Sequence, residues 1–222
     1  MAKIIPRQKH SPFYKAAITE LTTGHNVTEI ANYAYLKCKN LKKVDLANCI
    51  QIIGKYAFAE CYNLEAIAFS TNLHTIGEGA FKNCISLRNI NIPSSLTNVG
   101  PGAFAGCSNI ESFSGDNVTD DGRCVVIDNI LVAFAPKGLS EYCIPEGIRK
   151  IGDYALSMLG EKEIKINPPT SLTEVGKEAF FGSNIKFEWG KFLKQGGIGE
   201  ESFTYNFIQH YGLHKRVFSS ND

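Results

Sequence analysis

A repeat of 23 residues restricts this chain more than any other feature. Aliphatic anchors stand at Ile30, Ile53, Ile76 and Val99, each 23 residues after the last, and again at Ile151, Val175 and Ile198. Gly follows in six of the seven copies, with Ala31 the exception. Five residues after the anchor comes Tyr35, Phe58, Phe81, Phe104, Leu156, Phe180 or Phe203, usually behind an Ala. Eight residues after it come Cys38, Cys61, Cys84 and Cys107, then Leu159, Ser183 and Asn206. A unit this short cannot bury its own apolar face, but stacked units can, because each covers the next. The spacing therefore predicts a right-handed stack of about eight coils with Phe, Ile and Leu rows running through one core. The Gly after the anchor is expected where the chain bends too tightly to admit a Cβ.

The second half of each unit reads as a short strand. Leu41–Leu46 (LKKVDL), Leu64–Phe69 (LEAIAF) and Leu87–Ile92 (LRNINI) share one pattern. Val44, Ile67, Ile90 and Phe113 point inward and alternate with outward residues, the period of a half-buried strand. The same register runs back to Leu21. It predicts one strand per coil and a parallel sheet of about eight short strands. The step from Val99 to Ile151 is 52 residues, two repeats plus six. Within it, Cys124–Ala135 is two β-prone runs around Asp128-Asn129, which predicts a hairpin. It is expected on the outer, convex side, where solenoids accept insertions. The expected organisation is an N-terminal cap over 1–17, regular repeats over 18–114, and an enlarged coil with the hairpin over 115–145. Further repeats follow over 146–199, and a degenerate last repeat and cap over 200–222. Ser11-Pro12 could open a helix in the first cap. Phe203, Phe207, Ile208 and Tyr211 form a helical stripe in the last.

The unit Ile76–Leu96 (IGEGAFKNCISLRNINIPSSL) and its copies resemble the BspA-like leucine-rich repeats, the Bacteroides surface-protein type. The segment Asp121–Gly152 is also similar to an interruption that recurs in that family. The resemblance spans about residues 18–210. It implies a curved leucine-rich-repeat solenoid and a role in recognition. It further implies bacterial origin and display on a cell surface, with adhesion to host or microbial macromolecules.

Composition narrows the function. The chain has 222 residues and a net charge of +1, so bulk charge draws it to neither nucleic acid nor an acidic membrane. No apolar run approaches the roughly 18 residues that cross a bilayer. Met1–Pro6 lacks the apolar core of an export signal, so the chain as it stands reads as cytoplasmic, or as secreted or cell-surface if a signal was removed. No GxSxG, P-loop, HExxH or dinucleotide fingerprint occurs, and the expectation is a protein that is not an enzyme and uses no cofactor and no metal. The seven cysteines include no CxxC pair. Cys38, Cys61, Cys84 and Cys107 are expected as small buried hydrophobes. Cys49, Cys124 and Cys143 stand off that row, with Cys143 the most accessible. Among the histidines His10, His25, His74, His210 and His214, only the last two share a metal-like spacing, and no third ligand is near them. Asp116, Asp120 and Asp121 lack the alternate spacing of an EF-hand loop and read as a solvated turn. Asn26-Val27-Thr28 and Asn117-Val118-Thr119 match a glycosylation pattern and read as turns.

The outward strand positions are the candidate binding residues: Lys43 and Asp45, Ala66 and Ala68, Asn89 and Asn91, Ser112 and Ser114. Glu20 and Thr22 extend the strip at one end. Glu141 and Cys143 extend it at the other, followed by Glu163, Lys165, Lys186 and Glu188 after a one-residue slip. The expected function is a non-catalytic module binding a protein or polysaccharide, with the hairpin at 124–134 as the rival site. The alternative is a structural repeat that self-associates.

Overall fold

A computed structural model describes residues 2–4 and 17–187. They form a parallel β-solenoid of about seven coils and contain no helix. The eighth expected coil, from Ile198, lies outside the described residues, as do the C-terminal cap and the Ser11-Pro12 helix start. The strands of the first half are β1 (Ala2–Ile4), β2 (Glu20–Thr22), β3 (Val27–Ile30), β4 (Lys43–Asp45), β5 (Ile52–Ile53), β6 (Ala66–Ala68), β7 (Thr75–Ile76), β8 (Asn89–Asn91), β9 (Asn98–Val99) and β10 (Ser112–Ser114). The second half adds β11 (Cys124–Ile127), β12 (Ile130–Phe134), β13 (Glu141–Cys143), β14 (Lys150–Ile151), β15 (Ile164–Asn167), β16 (Glu174–Val175) and β17 (Ile185–Phe187).

Each regular coil carries two strands rather than the single one expected. One ladder holds the leucine-rich segments, ordered β2-β4-β6, β8-β10 and β13-β15-β17. The other holds the anchors, ordered β1-β3-β5-β7-β9, and continues beyond the hairpin through β14 and β16. Its strands in the regular coils are mostly two residues long, such as Thr75–Ile76, too short to show alternation in sequence. Between the ladders the chain turns through paired left-handed residues, for example Tyr56 and Glu60 at φ 51° and 58°. The Gly after the anchor serves a different purpose from the expected one. A Cβ on Gly77 would lie 2.7 Å from the Lys55 nitrogen of the preceding coil. The Gly therefore permits close stacking of coils and not the bend itself.

The core is stacked in layers. Tyr35, Phe58, Phe81 and Phe104 lie nearly parallel, with ring centres 5.2, 5.4 and 5.3 Å apart. Polar side chains tie each coil to the one before. Asn63, Asn109 and Asn184 amides donate to the carbonyls of Lys39, Ile85 and Glu161. Thiols do the same inside the stack. Cys61, Cys84 and Cys107 each donate to the carbonyl of Tyr35, Phe58 or Phe81 at 3.1 Å. Where the repeat has Ser183 instead, its hydroxyl donates to the Leu156 carbonyl at 2.7 Å. The Tyr35, Phe58 and Phe81 carbonyls also accept the Cys38, Cys61 and Cys84 amides of their own coils, so the thiol fills the second acceptor position of each.

The hairpin forms as expected, with Asp128 and Asn129 both at positive φ (51° and 64°), the dihedrals of a two-residue type I′ turn. Its place differs from the expectation. β12 pairs in parallel with β14, matching Leu131 to Ile151, and so stands in the anchor ladder. Val125, Ala133 and Ala135 pack with the core of residues 30–113, while Cys124, Leu131 and Phe134 pack with the core of residues 142–187. The hairpin is thus an internal partition and not an outer appendage, because its apolar side chains alternate between two cores. Outside this partition the coils meet directly: the Gly102 and Gly106 amides donate to the carbonyls of Asp153 and Ser157.

Candidate functional site

The outward strip is built by the leucine-rich ladder, whose central residues are buried and whose flanking residues face solvent. In β4, β6 and β8 the burial pattern is exposed, buried, exposed. Parallel register aligns Glu20 with Lys43 and Ala66, and Thr22 with Asp45 and Ala68. It also aligns Asn89 with Ser112 and Asn91 with Ser114. These last four residues bond across the strands. The Ser112 hydroxyl donates to Asn89 Oδ1 at 2.8 Å, and the Ser114 hydroxyl to Asn91 Oδ1 at 3.1 Å. Both amide NH2 groups are left as donors toward solvent.

Beyond the enlarged coil the expected slip is corrected. Glu141 and Cys143 stand opposite Lys165 and Asn167, and Lys165 stands opposite Lys186. Glu163 precedes β15, and Glu188 lies outside the described residues. Asn167 was not legible as a strip residue. It is buried, and its amide donates to Glu141 Oε1 at 2.9 Å and approaches Cys143 Sγ at 3.5 Å. Lys165 pairs with the same carboxylate at 3.1 Å.

The ladder is interrupted within the strip. β6 and β8 belong to separate sheets. The Leu46 amide donates to the Ala68 carbonyl and the Ile92 amide to the Ser114 carbonyl, but the matching bond from Phe69 to Asn91 is not formed. Leu46, Phe69, Ile92 and Gly115 occupy the same place in four successive coils. Leu46 and Ile92 are buried, Phe69 is half-exposed, and Gly115 offers no side chain at all. A hollow of about 290 Å³ results, lined by Phe69, Thr71, Asn91, Ile92, Pro93, Ser94, Gly115 and Asp116. A larger, mainly apolar hollow of about 600 Å³ lies at Met158, Gly160, Glu161 and Phe181–Asn184 in the last described coils.

Other reactive groups are used structurally. Cys38, Cys61, Cys84, Cys107 and Cys124 are buried and unbridged, and Cys143 is exposed. Burial pushes the Cys61, Cys107 and Cys124 thiols up to about 12 and Cys84 well above its ordinary value, so none is a thiolate at neutral pH. Cys49 donates to the Val27 carbonyl at 3.0 Å. Cys124 Sγ lies 3.3 Å from the Tyr142 hydroxyl. Partial burial of Asp121 opposes its charge, but bonds from the Thr119 hydroxyl, the Arg123 amide and Tyr142 hold its carboxyl below the usual range. Asp121 is thereby committed to the turn, and Asn117 donates to the Leu96 carbonyl at 2.8 Å. Among the described residues no group of three or more His, Cys, Asp or Glu is arranged to hold a metal. His10, His210 and His214 lie outside them. No helix of the described residues is long and apolar enough to cross a membrane.

The profile of the BspA type leucine rich repeat region matches residues 8–121 and 131–219, in six copies. A leucine-rich repeat protein from Bacteroides ovatus is 26% identical, with TM-score 0.56, over 77% of this chain and 42% of that one. The chain thus spans less than half the length of that relative. A leucine rich cell surface protein from Faecalibacterium prausnitzii is 19% identical, with TM-score 0.44, over 76% of this chain and 62% of that one. A leucine-rich repeat protein from T. pallidum is 18% identical, with TM-score 0.42, over 72% of this chain and 70% of that one. No curated protein matches the sequence. With two parallel ladders, an aromatic stack and six matched repeats, this chain belongs to the BspA-type leucine-rich-repeat family.

Proposed function

We propose that this protein is a non-catalytic binding module whose outward strand face holds a protein or polysaccharide. The observation that carries the reading is the cross-strand pairing at the centre of the strip. Ser112 is bonded to Asn89 and Ser114 to Asn91, so these short side chains are already held in place. A partner that docks on them immobilises few rotamers, whereas a strip of long Lys and Glu stems would lose about 0.5–1.5 kcal/mol for each one ordered. Ala66, Ala68, Lys43 and Asp45 continue the surface with small and then oppositely charged groups.

Binding to arrays of matrix proteins and polysaccharides tests the reading. Ser112→Lys places a long cation in the centre of the strip and is expected to abolish capture while leaving the melting temperature unchanged. Capture that survives this change would remove the strand face as the site. The second reading, self-association, has a separate readout: light scattering after size exclusion would give a multiple of the chain mass that Ser112→Lys reduces to one.

A further inference from the structure

Resting on that reading of the strand face, we propose that the hollow beside β6 and β8 is a subsite for one neutral pyranose ring of a polysaccharide. The hollow is a local departure from the repeat. The row Leu46, Phe69, Ile92 ends in Gly115, which stands at φ 122°, and a Cβ there would lie 2.1 Å from the Ile92 carbonyl oxygen. A side chain is therefore excluded at the position that would otherwise fill the space. Phe69 stands half-exposed in the same space. Its ring is anchored from behind by an edge contact with Phe81, centres 5.7 Å apart, so it is a fixed wall and not a mobile flap. The volume of about 290 Å³ lies just below the range of drug-sized ligand sites, roughly 300–1,000 Å³, which suits a single sugar ring with its neighbours left on the surface.

The lining selects the chemistry. Phe69, Ile92 and Pro93 give an apolar wall, and an aromatic face attracts the polarised C–H bonds of a pyranose. Thr71, Asn91, Ser94 and Asp116 set hydroxyl, amide and carboxylate groups around it. Asn91 Oδ1 is taken by Ser114, which leaves its NH2 as a donor beside the Asp116 acceptor. The Phe69 amide, freed by the break in the ladder, adds a backbone donor at the same place. A ring of hydroxyls can meet these donors and acceptors together. A lysine side chain from a protein would meet Asp116 alone and leave the rest unpaired, at a cost for each desolvated group. Asp116 is the only charged residue in the lining and repels uronate or sulfated sugars.

The test is binding of the whole chain to neutral oligosaccharides (gluco-, manno-, galacto- and xylo-hexaoses), with oligogalacturonate and a lysine-rich peptide as comparisons, read by saturation-transfer NMR and titration calorimetry. Phe69→Leu restores the aliphatic residue of the neighbouring coils, and Asp116→Ala removes the acceptor. The expected result is binding of a neutral hexaose that each variant weakens by about tenfold or more, with the melting temperature held. If Phe69→Leu fails to fold, Asp116→Ala gives the same reading alone. Neutral sugar binding that ignores both variants overturns the subsite. So does binding of only the peptide or the polyanion. If a partner binds and is lost with Ser112→Lys but not with Phe69→Leu or Asp116→Ala, the subsite falls and the strand face stands. If no probe binds at all, the subsite falls, and the strand face is decided by the arrays of matrix proteins and polysaccharides.

Discussion

Phe81 sits fully buried between Phe58 and Phe104, with Phe69 against its edge. Phe81→Ala is expected to cost about 3–5 kcal/mol, seen as a large fall in the denaturation midpoint. A shift of a degree or less would place Phe81 outside the core. The thiols make a pH prediction with a definite sign. Their folded-state values are raised to about 12 from an ordinary 9.0, so above pH 9 the folded chain keeps protons that the unfolded chain has lost. Stability is complete below that pH and declines as pH rises from about 9 toward 12. Melting temperatures measured across that range, with thiolate absorbance followed in parallel, check it. Midpoints that stay flat to high pH would contradict the buried thiol row. Cys84→Ser keeps a second donor for the Phe58 carbonyl, as Ser183 is a donor for Leu156, whereas Cys84→Ala leaves that carbonyl only its bond from the Cys61 amide. Alanine is therefore expected to cost more, by about 0.5–1.5 kcal/mol, the net worth of one hydrogen bond. The burial of these cysteines was legible from their place in the repeat. Their use as donors was not, because the acceptor belongs to the coil before and only stacking brings it within reach.

At the scale of elements, the hairpin is the informative piece. Its turn was legible from Asp128-Asn129, since those side chains tolerate the left-handed region that a two-residue turn requires. Asn129→Ala is expected to cost about 1–2 kcal/mol, and Asn129→Gly little, as thermal melts would show. The structural role of the hairpin was not legible. Two alternating apolar runs look the same whether they cover one core or separate two. Because β12 stands in the anchor ladder against β14, replacing residues 124–134 with a flexible link is expected to unfold the coils that follow. Retention of cooperative unfolding in that deletion would return the hairpin to the outer surface.

Across the whole molecule, each coil touches mainly its neighbours, and stability is a sum of coil terms and interface terms. The two apolar cores meet at the hairpin, where Leu131 is fully buried on the side of the second. Leu131→Ala is expected to cost about 2–5 kcal/mol and to loosen the coupling. Hydrogen exchange should then show residues 142–187 opening before residues 30–113. Loss of protection at one rate in both halves would show that the partition does not divide the molecule.

The 23-residue period by itself determined the stack, the inward and outward faces of the leucine-rich strands, and the aromatic and cysteine rows. Each of these follows from a spacing that recurs at every coil, so the sequence states it several times over. Tertiary structure decided what occurs once or lies between coils. The second ladder rests on strands of two residues, which carry no period. The correction from Glu163 to Asn167 depends on pairing across β13 and β15. The hollow beside Phe69 exists because Gly115, two coils on, leaves empty the place that Leu46 and Ile92 fill in theirs. A repeat announces what all coils share, while a site arises where one coil departs from the rest, and only the packed neighbours show whether that departure leaves a space.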